Sequence, residues 1–210
     1  MNPSDLRVSG LSGEASWDDP VRPTSPGAHG FSDLIDALRE AQEAVTRSRP
    51  SGTACAEAAR LLRQASGLLD PFEVGEDEQL AGRFWGEAGR AQALAPSIHI
   101  DAVTPSELRG TVTFGRFHAG RGAVHGGVLP LVFDEVMSRL GNAYGRPRGR
   151  TAYLKTDYRA LVPVGERLDV RAWLESEQGR KRYLRAELSR GGQLLSEAEG
   201  LVVVLRAGQP

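Results

Sequence analysis

Cysteine is almost missing from this chain. Cys55 is the only one in 210 residues, so no internal disulfide can form and a disulfide-built secreted scaffold is excluded. Lysine is nearly as scarce. Lys155 and Lys181 are the only lysines among 26 Lys+Arg, a bias we read as genomic base composition. An excess of charge of one sign is absent too. The 26 Lys+Arg face 27 Asp+Glu, a net charge of −1, which gives no footing for nucleic-acid binding or a polybasic membrane anchor. Apolar runs are short, as in Leu201–Leu205; none approaches the ~20 residues that span a bilayer. Met1 to Gly30 has no apolar core of the signal-peptide kind, so a cytoplasmic protein is expected. His29, His99, His118 and His125 have no metal-ligand spacing to Cys or acid partners, so no metal is expected. No Gly-x-Ser-x-Gly elbow occurs, which argues against a serine hydrolase. Gly120-Arg-Gly122 only grazes the dinucleotide fingerprint, because His125 holds the third glycine position.

What is present divides the chain in three. Residues 1–30 carry four prolines and four glycines among sparse apolar residues and read as a flexible arm. Residues 31–72 read as an N-terminal helical extension. Phe31, Leu34, Ile35, Leu38, Ala41 and Val45 fall at helical spacing, with Ser32 as candidate N-cap. Pro50-Ser-Gly52 breaks the run. A second one then places Ala58, Leu61, Leu62, Ala65, Leu68 and Leu69 on one stripe, closed by Pro71. Each stripe needs a surface to cover, on the main domain or on a partner subunit. Phe84 and Trp85 read as anchors in the connecting segment, at the start of a main domain spanning 73–210.

The main domain alternates apolar and polar residues in the way of strands. Ile98, Ile100 and Ala102 form one such pattern, and Val112 and Phe114 another. Residues 127–144 then form one long helix, apolar on several sides and therefore destined for a core. Pro130 lies in its first turn, where a missing N–H costs nothing. Four strand-like stretches follow at 151–160, 167–175, 181–189 and 194–205, separated by short turns that favour antiparallel hairpins. The fold class expected is α+β, a sheet wrapped around one buried helix.

Chemistry concentrates where that helix begins. Gly126 and Gly127 expose backbone N–H groups and let a ligand approach. They lie at the positive end of a helix dipole, which suits them to polarise a carbonyl oxygen; the same pair also suits a plain tight turn. Asp134 stands nine residues after His125 in an apolar stretch. Desolvation there would raise its pKa and suit it to act as a general base. Glu135 points ~100° away around the helix, so it is expected to face solvent or an interface. Gly126 and Asp134 lie eight residues apart, roughly 12 Å at ~1.5 Å per residue. One carbonyl cannot touch both in one chain. Two such helices paired antiparallel across a twofold axis would bring Gly126 of one copy to Asp134 of the other, so the chemistry requires a dimer. Thr151, opening the next strand, could hold a water near Asp134. Arg146, Arg148 and Arg150 follow the helix and could meet phosphates, although a solvated loop would look the same. Arg180, Lys181 and Arg182 at a hairpin carry the same ambiguity.

His125-Gly-Gly127, the Asp134-Glu135 pair and Thr151-Ala-Tyr-Leu-Lys-Thr-Asp-Tyr-Arg-Ala-Leu-Val-Pro-Val-Gly165 together resemble the hotdog-fold acyl-CoA thioesterases of the phenylacetate-pathway type. Gly89-Arg-Ala-Gln-Ala-Leu-Ala-Pro96 and Gly110-Thr-Val-Thr-Phe-Gly115 extend the resemblance, over about residues 86–205. It implies a curved antiparallel sheet around a central helix, in homodimers that often pair into homotetramers. It implies an acyl-CoA substrate, split into free acid and coenzyme A, with no separate cofactor. By the same resemblance Gly126 binds the thioester oxygen, Asp134 serves as base or nucleophile, and Thr151 positions the water. His125 orients the loop or the thioester, while Gly127, Arg146, Arg148 and Arg150 are the substrate-binding candidates. Phe117-His-Ala-Gly-Arg-Gly-Ala123 stands where relatives usually carry a Gly-Pro-Pro-like bend. A non-catalytic acyl-CoA or lipid-binding module of the same fold is the alternative; a hotdog hydratase lacks its expected Asp/His arrangement.

Overall fold

The computed structural model describes residues 28, 30–84, 87–206 and 208. The expected flexible arm lies outside the described residues except for positions 28 and 30, and so does Trp85. The helices are α1 (Phe31–Arg47), α2 (Gly52–Leu69) and α3 (Val128–Gly141). The strands are β1 (Ile98–Val103), β2 (Glu107–Thr113), β3 (Ala119–Gly120), β4 (Ala123–Val124), β5 (Gly149–Tyr158), β6 (Arg167–Gln178), β7 (Lys181–Arg190) and β8 (Gln193–Val204). Six of them make one antiparallel sheet in the order β1-β2-β6-β7-β8-β5. The two-residue strands β3 and β4 form a separate small hairpin.

Alternation decides which sheet face is buried. Leu184, Ala186 and Leu188 of β7, with Leu168, Val170 and Ala172 of β6, point inward. They meet Leu129, Val132, Phe133, Val136, Met137 and Leu140 of α3 in one core. A helix apolar on so many sides has no stable place except against this face. At Gly200 of β8 the approach is so close that a Cβ would lie 2.8 Å from the sulfur of Met137. The helix is also held at its far end. Arg182, on the inward face of β7 and 1% exposed, donates to the Gly141 and Pro147 carbonyls and to Glu177. Arg146 donates to the carbonyls of Leu140 and Pro105. These two guanidiniums satisfy carbonyls that the last turn of a helix leaves without partners. Arg182→Ala should therefore cost roughly 3 kcal/mol or more, because it strips buried acceptors and removes a well-packed side chain. Urea unfolding of the variant measures it, and an unchanged midpoint would contradict the assignment.

The extension departs from its sequence reading in two ways. Ser32 is not the cap of α1: the helix starts after Gly30, whose φ of 76° only glycine adopts readily, and Ser32 lies inside it, donating to Glu87. Only part of the apolar stripe of α1 docks. Leu34, Leu38 and Val45 stay exposed, while Phe31 and Ile35 pack with Phe84, Leu80, Ala28 and Ala91 in a second small core. Phe31 and Phe84 stack with ring centroids 5.8 Å apart. α2 has no buried residue, so its Leu61, Leu62, Leu68 and Leu69 cover nothing among the described residues, as a stripe meant for a partner subunit would.

Candidate functional site

β5 is an edge strand of the sheet and lies alongside α3, running the opposite way. Two hydrogen bonds tie them. Near the start of β5 the Thr151 hydroxyl donates to Asp134 Oδ1 at 2.8 Å. At its end the Tyr158 hydroxyl donates to the Gly126 carbonyl at 2.9 Å. Asp134 and Thr151 are thus brought together, and Gly126 is held at the opposite end of the same strand. Within one chain the two groups remain separated by the ~12 Å helical rise.

Ser138, which sequence reasoning passed over, completes the acid's surroundings. Its hydroxyl lies 3.3 Å from that of Thr151. Thr151 has one hydrogen and gives it to Asp134, so Ser138 is left to donate to Thr151. The signal was its position four residues after Asp134, on the same helix face. Asp134 is partly exposed rather than fully desolvated, and its Oδ2 makes no hydrogen bond among the described residues.

At the start of α3 the exposed His125 ring accepts the Gly127 N–H on Nδ1 at 3.1 Å. The ring proton therefore sits on Nε2. Gly127, a substrate-binding candidate, has its amide occupied in this way. The Gly126 N–H makes no hydrogen bond among the described residues. An unengaged amide at a helix start can donate to an oxyanion.

Glu135 corrects the sequence reading. It is buried, not solvent-facing, and its carboxylate pairs with Arg90 at 2.5 Å and Arg139 at 3.5 Å. Arg90 comes from Gly89-Arg90-Ala91, three successive residues with φ of 68°, 54° and 50°. Burial pushes the Arg139 guanidinium below its ordinary pKa, and the Glu135 charge opposes that shift.

The arginine candidates separate. Arg146 is engaged at the end of α3, as described. Arg148 is partly buried; desolvation lowers its pKa, and the neighbouring Arg150 charge lowers it further. Arg182, one of the hairpin cations, is interior. Arg150 instead lines a cavity of about 280 Å³ together with Arg180, Arg206, Thr151 and Ala152, closed by Val203, Val204 and Leu205. Three arginines thus share that lining with Thr151, no acid is among the lining residues, and Arg180 donates there to the Val204 carbonyl at 2.9 Å. Arg180 carried the phosphate reading at its hairpin, whereas Arg206 was not singled out; the pairing of β8 with both β5 and β7 brings them beside Arg150. Among the described residues no three His, Cys, Asp or Glu side chains converge in a metal-binding group, and no helix is long and apolar enough to cross a membrane.

Comparison with known proteins identifies the family. The Thioesterase superfamily profile matches residues 121–197, from the β3–β4 hairpin into β8. The crystal structure of protein RHA08564, a thioesterase superfamily protein, is 30% identical, with a TM-score of 0.71, over 85% of this chain and 97% of that one. The chain belongs to the thioesterase superfamily. Its six-stranded antiparallel sheet around α3 is the hotdog fold of that superfamily, preceded by an N-terminal helical extension. Two further solved structures are more distant. A putative thioesterase, a phenylacetic acid degradation-related protein from Ralstonia eutropha, is 24% identical over 51% of this chain and 84% of its own, with a TM-score of 0.47. A mutant of the phenylacetic acid degradation protein PaaI from Thermus thermophilus is 24% identical over 54% of this chain and 96% of its own, with a TM-score of 0.49. No curated protein matches the sequence.

Proposed function

We propose that this superfamily member hydrolyses acyl-CoA thioesters at a site assembled from two copies of the chain. The observation that carries the reading is the separation of two complementary groups. A free Gly126 amide sits at one end of β5 and a Thr151-bound Asp134 at the other. Among the described residues β5 is an edge strand, which leaves one side of its backbone for antiparallel pairing with a second copy. A twofold axis through that pairing sets the two α3 helices antiparallel, each Gly126 opposite the other copy's Asp134.

In that site the thioester oxygen accepts the Gly126 N–H. Asp134 Oδ2 takes a proton from water, and the water oxygen attacks the carbonyl carbon. Collapse of the tetrahedral intermediate breaks the C–S bond. The thiolate of coenzyme A leaves and takes up a proton, and the acyl group departs as the acid. Thr151 keeps Asp134 oriented and, with Ser138, offers oxygen to the same water. No cofactor enters beyond the coenzyme A of the substrate.

The cavity formed by Arg150, Arg180 and Arg206 suits the phosphates of coenzyme A better than Arg146 and Arg148 do. Arg150→Ala and Arg180→Ala should each raise KM by roughly tenfold, the lower end of a charge-assisted hydrogen bond's contribution, with kcat nearly unchanged. A fall in kcat at constant KM would remove the cavity from substrate binding. The reading as a whole is tested by a panel of acyl-CoAs of varied chain length and aromaticity, with release of free thiol as the readout. Turnover of at least one member is expected; tight binding without thiol release would mark an acyl-CoA-binding protein instead.

A further inference from the structure

Ile35, Arg39 and Glu43 recur every four residues and share one face of α1. Ile35 anchors that face in the small core with Phe84 and Ala91. Arg39 donates to the Gln92 carbonyl at 2.5 Å. Glu43 reaches the main domain at the 3-10 turn Arg116–His118, where its carboxylate accepts the N–H groups of Arg116 at 3.0 Å and Phe117 at 2.8 Å. These are first-turn amides, which have no acceptor inside their own turn. The niche exists because residue 115 is glycine: a Cβ there would lie 2.5 Å from Glu43 Oε2. The Phe117 N–H is the main cause that holds the Glu43 carboxyl below its ordinary pKa. Desolvation opposes it, and the Arg116 N–H with the charges of Arg47 and Arg116 adds to it.

The grip continues along the chain. The His118 carbonyl accepts the His125 N–H at 2.8 Å, and between them Ala119 pairs with Val124 and Gly120 with Ala123. His125 in turn takes the Gly127 amide and leaves that of Gly126 unengaged. A hydrogen-bonded strip therefore runs from the side chain of Glu43 to the start of α3.

We infer that Glu43 is a positioning residue, through which the N-terminal helix fixes where the Gly126 amide is presented. The kinetic arm of this inference rests on the hydrolase reading; its structural arm does not. The full-length protein is compared with Glu43→Ala, Glu43→Gln, Gly115→Ala and, as control, Glu40→Ala on the exposed side of α1. Amide hydrogen exchange is followed at residues 116–118 and 125–127, and kcat and KM are measured separately. Glu43→Ala should lose protection at Arg116 and Phe117 and also at His125 and Gly127, whose amides are bonded. Its kcat should fall by roughly tenfold to a hundredfold with KM within twofold, as for a misplaced catalytic group. Glu43→Gln keeps one carbonyl acceptor and should lie between. Gly115→Ala should reproduce the loss without removing the acid, which covers the case in which Glu43→Ala does not fold. Unchanged exchange at 125–127 in Glu43→Ala and Gly115→Ala, or an effect on KM alone, would overturn the inference. If wild-type protein releases thiol from no acyl-CoA, the hydrolase reading fails, and the exchange result still decides whether Glu43 sets the loop.

Discussion

Asp134→Asn is expected to slow thioester hydrolysis by roughly 10²–10⁴-fold, the usual worth of a positioned general base. The amide is nearly isosteric and still accepts the Thr151 hydroxyl through its oxygen, so thermal stability and oligomeric state should stay close to wild type. What it loses is the capacity to take a proton from water. Thr151→Val should act in the same direction with a smaller effect, because the base remains and only its orientation is released. The composite site adds a sharper test. Gly126→Pro removes the proposed oxyanion donor, so homodimers of either Gly126→Pro or Asp134→Asn contain no complete site. A mixed dimer of the two contains one intact pair, Gly126 from the Asp134→Asn chain and Asp134 from the Gly126→Pro chain. Tandem-tagged heterodimers should recover up to about half of wild-type turnover by this count of sites. Heterodimers as inactive as both parents would place the two groups in one chain's site or in none.

The pattern of residues made some of this legible. α3 is apolar around most of its surface, and only a helix in a core can be so. The strands of the second half alternate because one face of their sheet is dry and the other wet. Asp134 stood out as a charge in an apolar run, and Thr151 as the polar residue opening the next strand; the hydrogen bond between them follows from the antiparallel course of β5 along α3. What escaped was tertiary. The apolar stripe of α1 predicts which face avoids water, yet the helix is seated by Ile35, Arg39 and Glu43, two of them charged, because the surface it meets offers a carbonyl and two amide donors. Arg146 looked like a phosphate ligand because a helix-end carbonyl awaiting a donor leaves no mark in sequence. Ser138 needed only helical periodicity from Asp134 and could have been found.

Glu135→Leu should destabilise the fold by roughly 3–5 kcal/mol, the cost of removing one partner from a buried ion pair. The carboxylate lies against Arg90 and Arg139, with side-chain exposures of 7%, 19% and 10%. Its removal leaves two guanidiniums with little water and no opposite charge from this group. At about 2–4 °C per kcal/mol for a chain of this size, the melting temperature should fall by roughly 10 °C. Glu135→Gln should cost less, because the amide oxygen still accepts from Arg90. Arg90→Met combined with Glu135→Leu should cost less than the sum of the two single changes, since the charge left stranded by one is deleted by the other. The sequence reading assigned Glu135 to solvent or an interface because its neighbour Asp134 occupied the functional face. Its nearer partner lies 45 residues upstream, in a left-handed run that no periodicity announces, although Arg139 stands at helical spacing four residues on. The two adjacent acids should therefore separate cleanly in experiment. Asp134→Asn loses turnover and keeps its melting temperature, whereas Glu135→Leu loses melting temperature and, assayed well below it, keeps most of its turnover per folded molecule. A Glu135→Leu variant as stable as wild type would mean that the ion pair is replaced at no cost, and that the fold around Gly89-Arg90-Ala91 is held by packing alone.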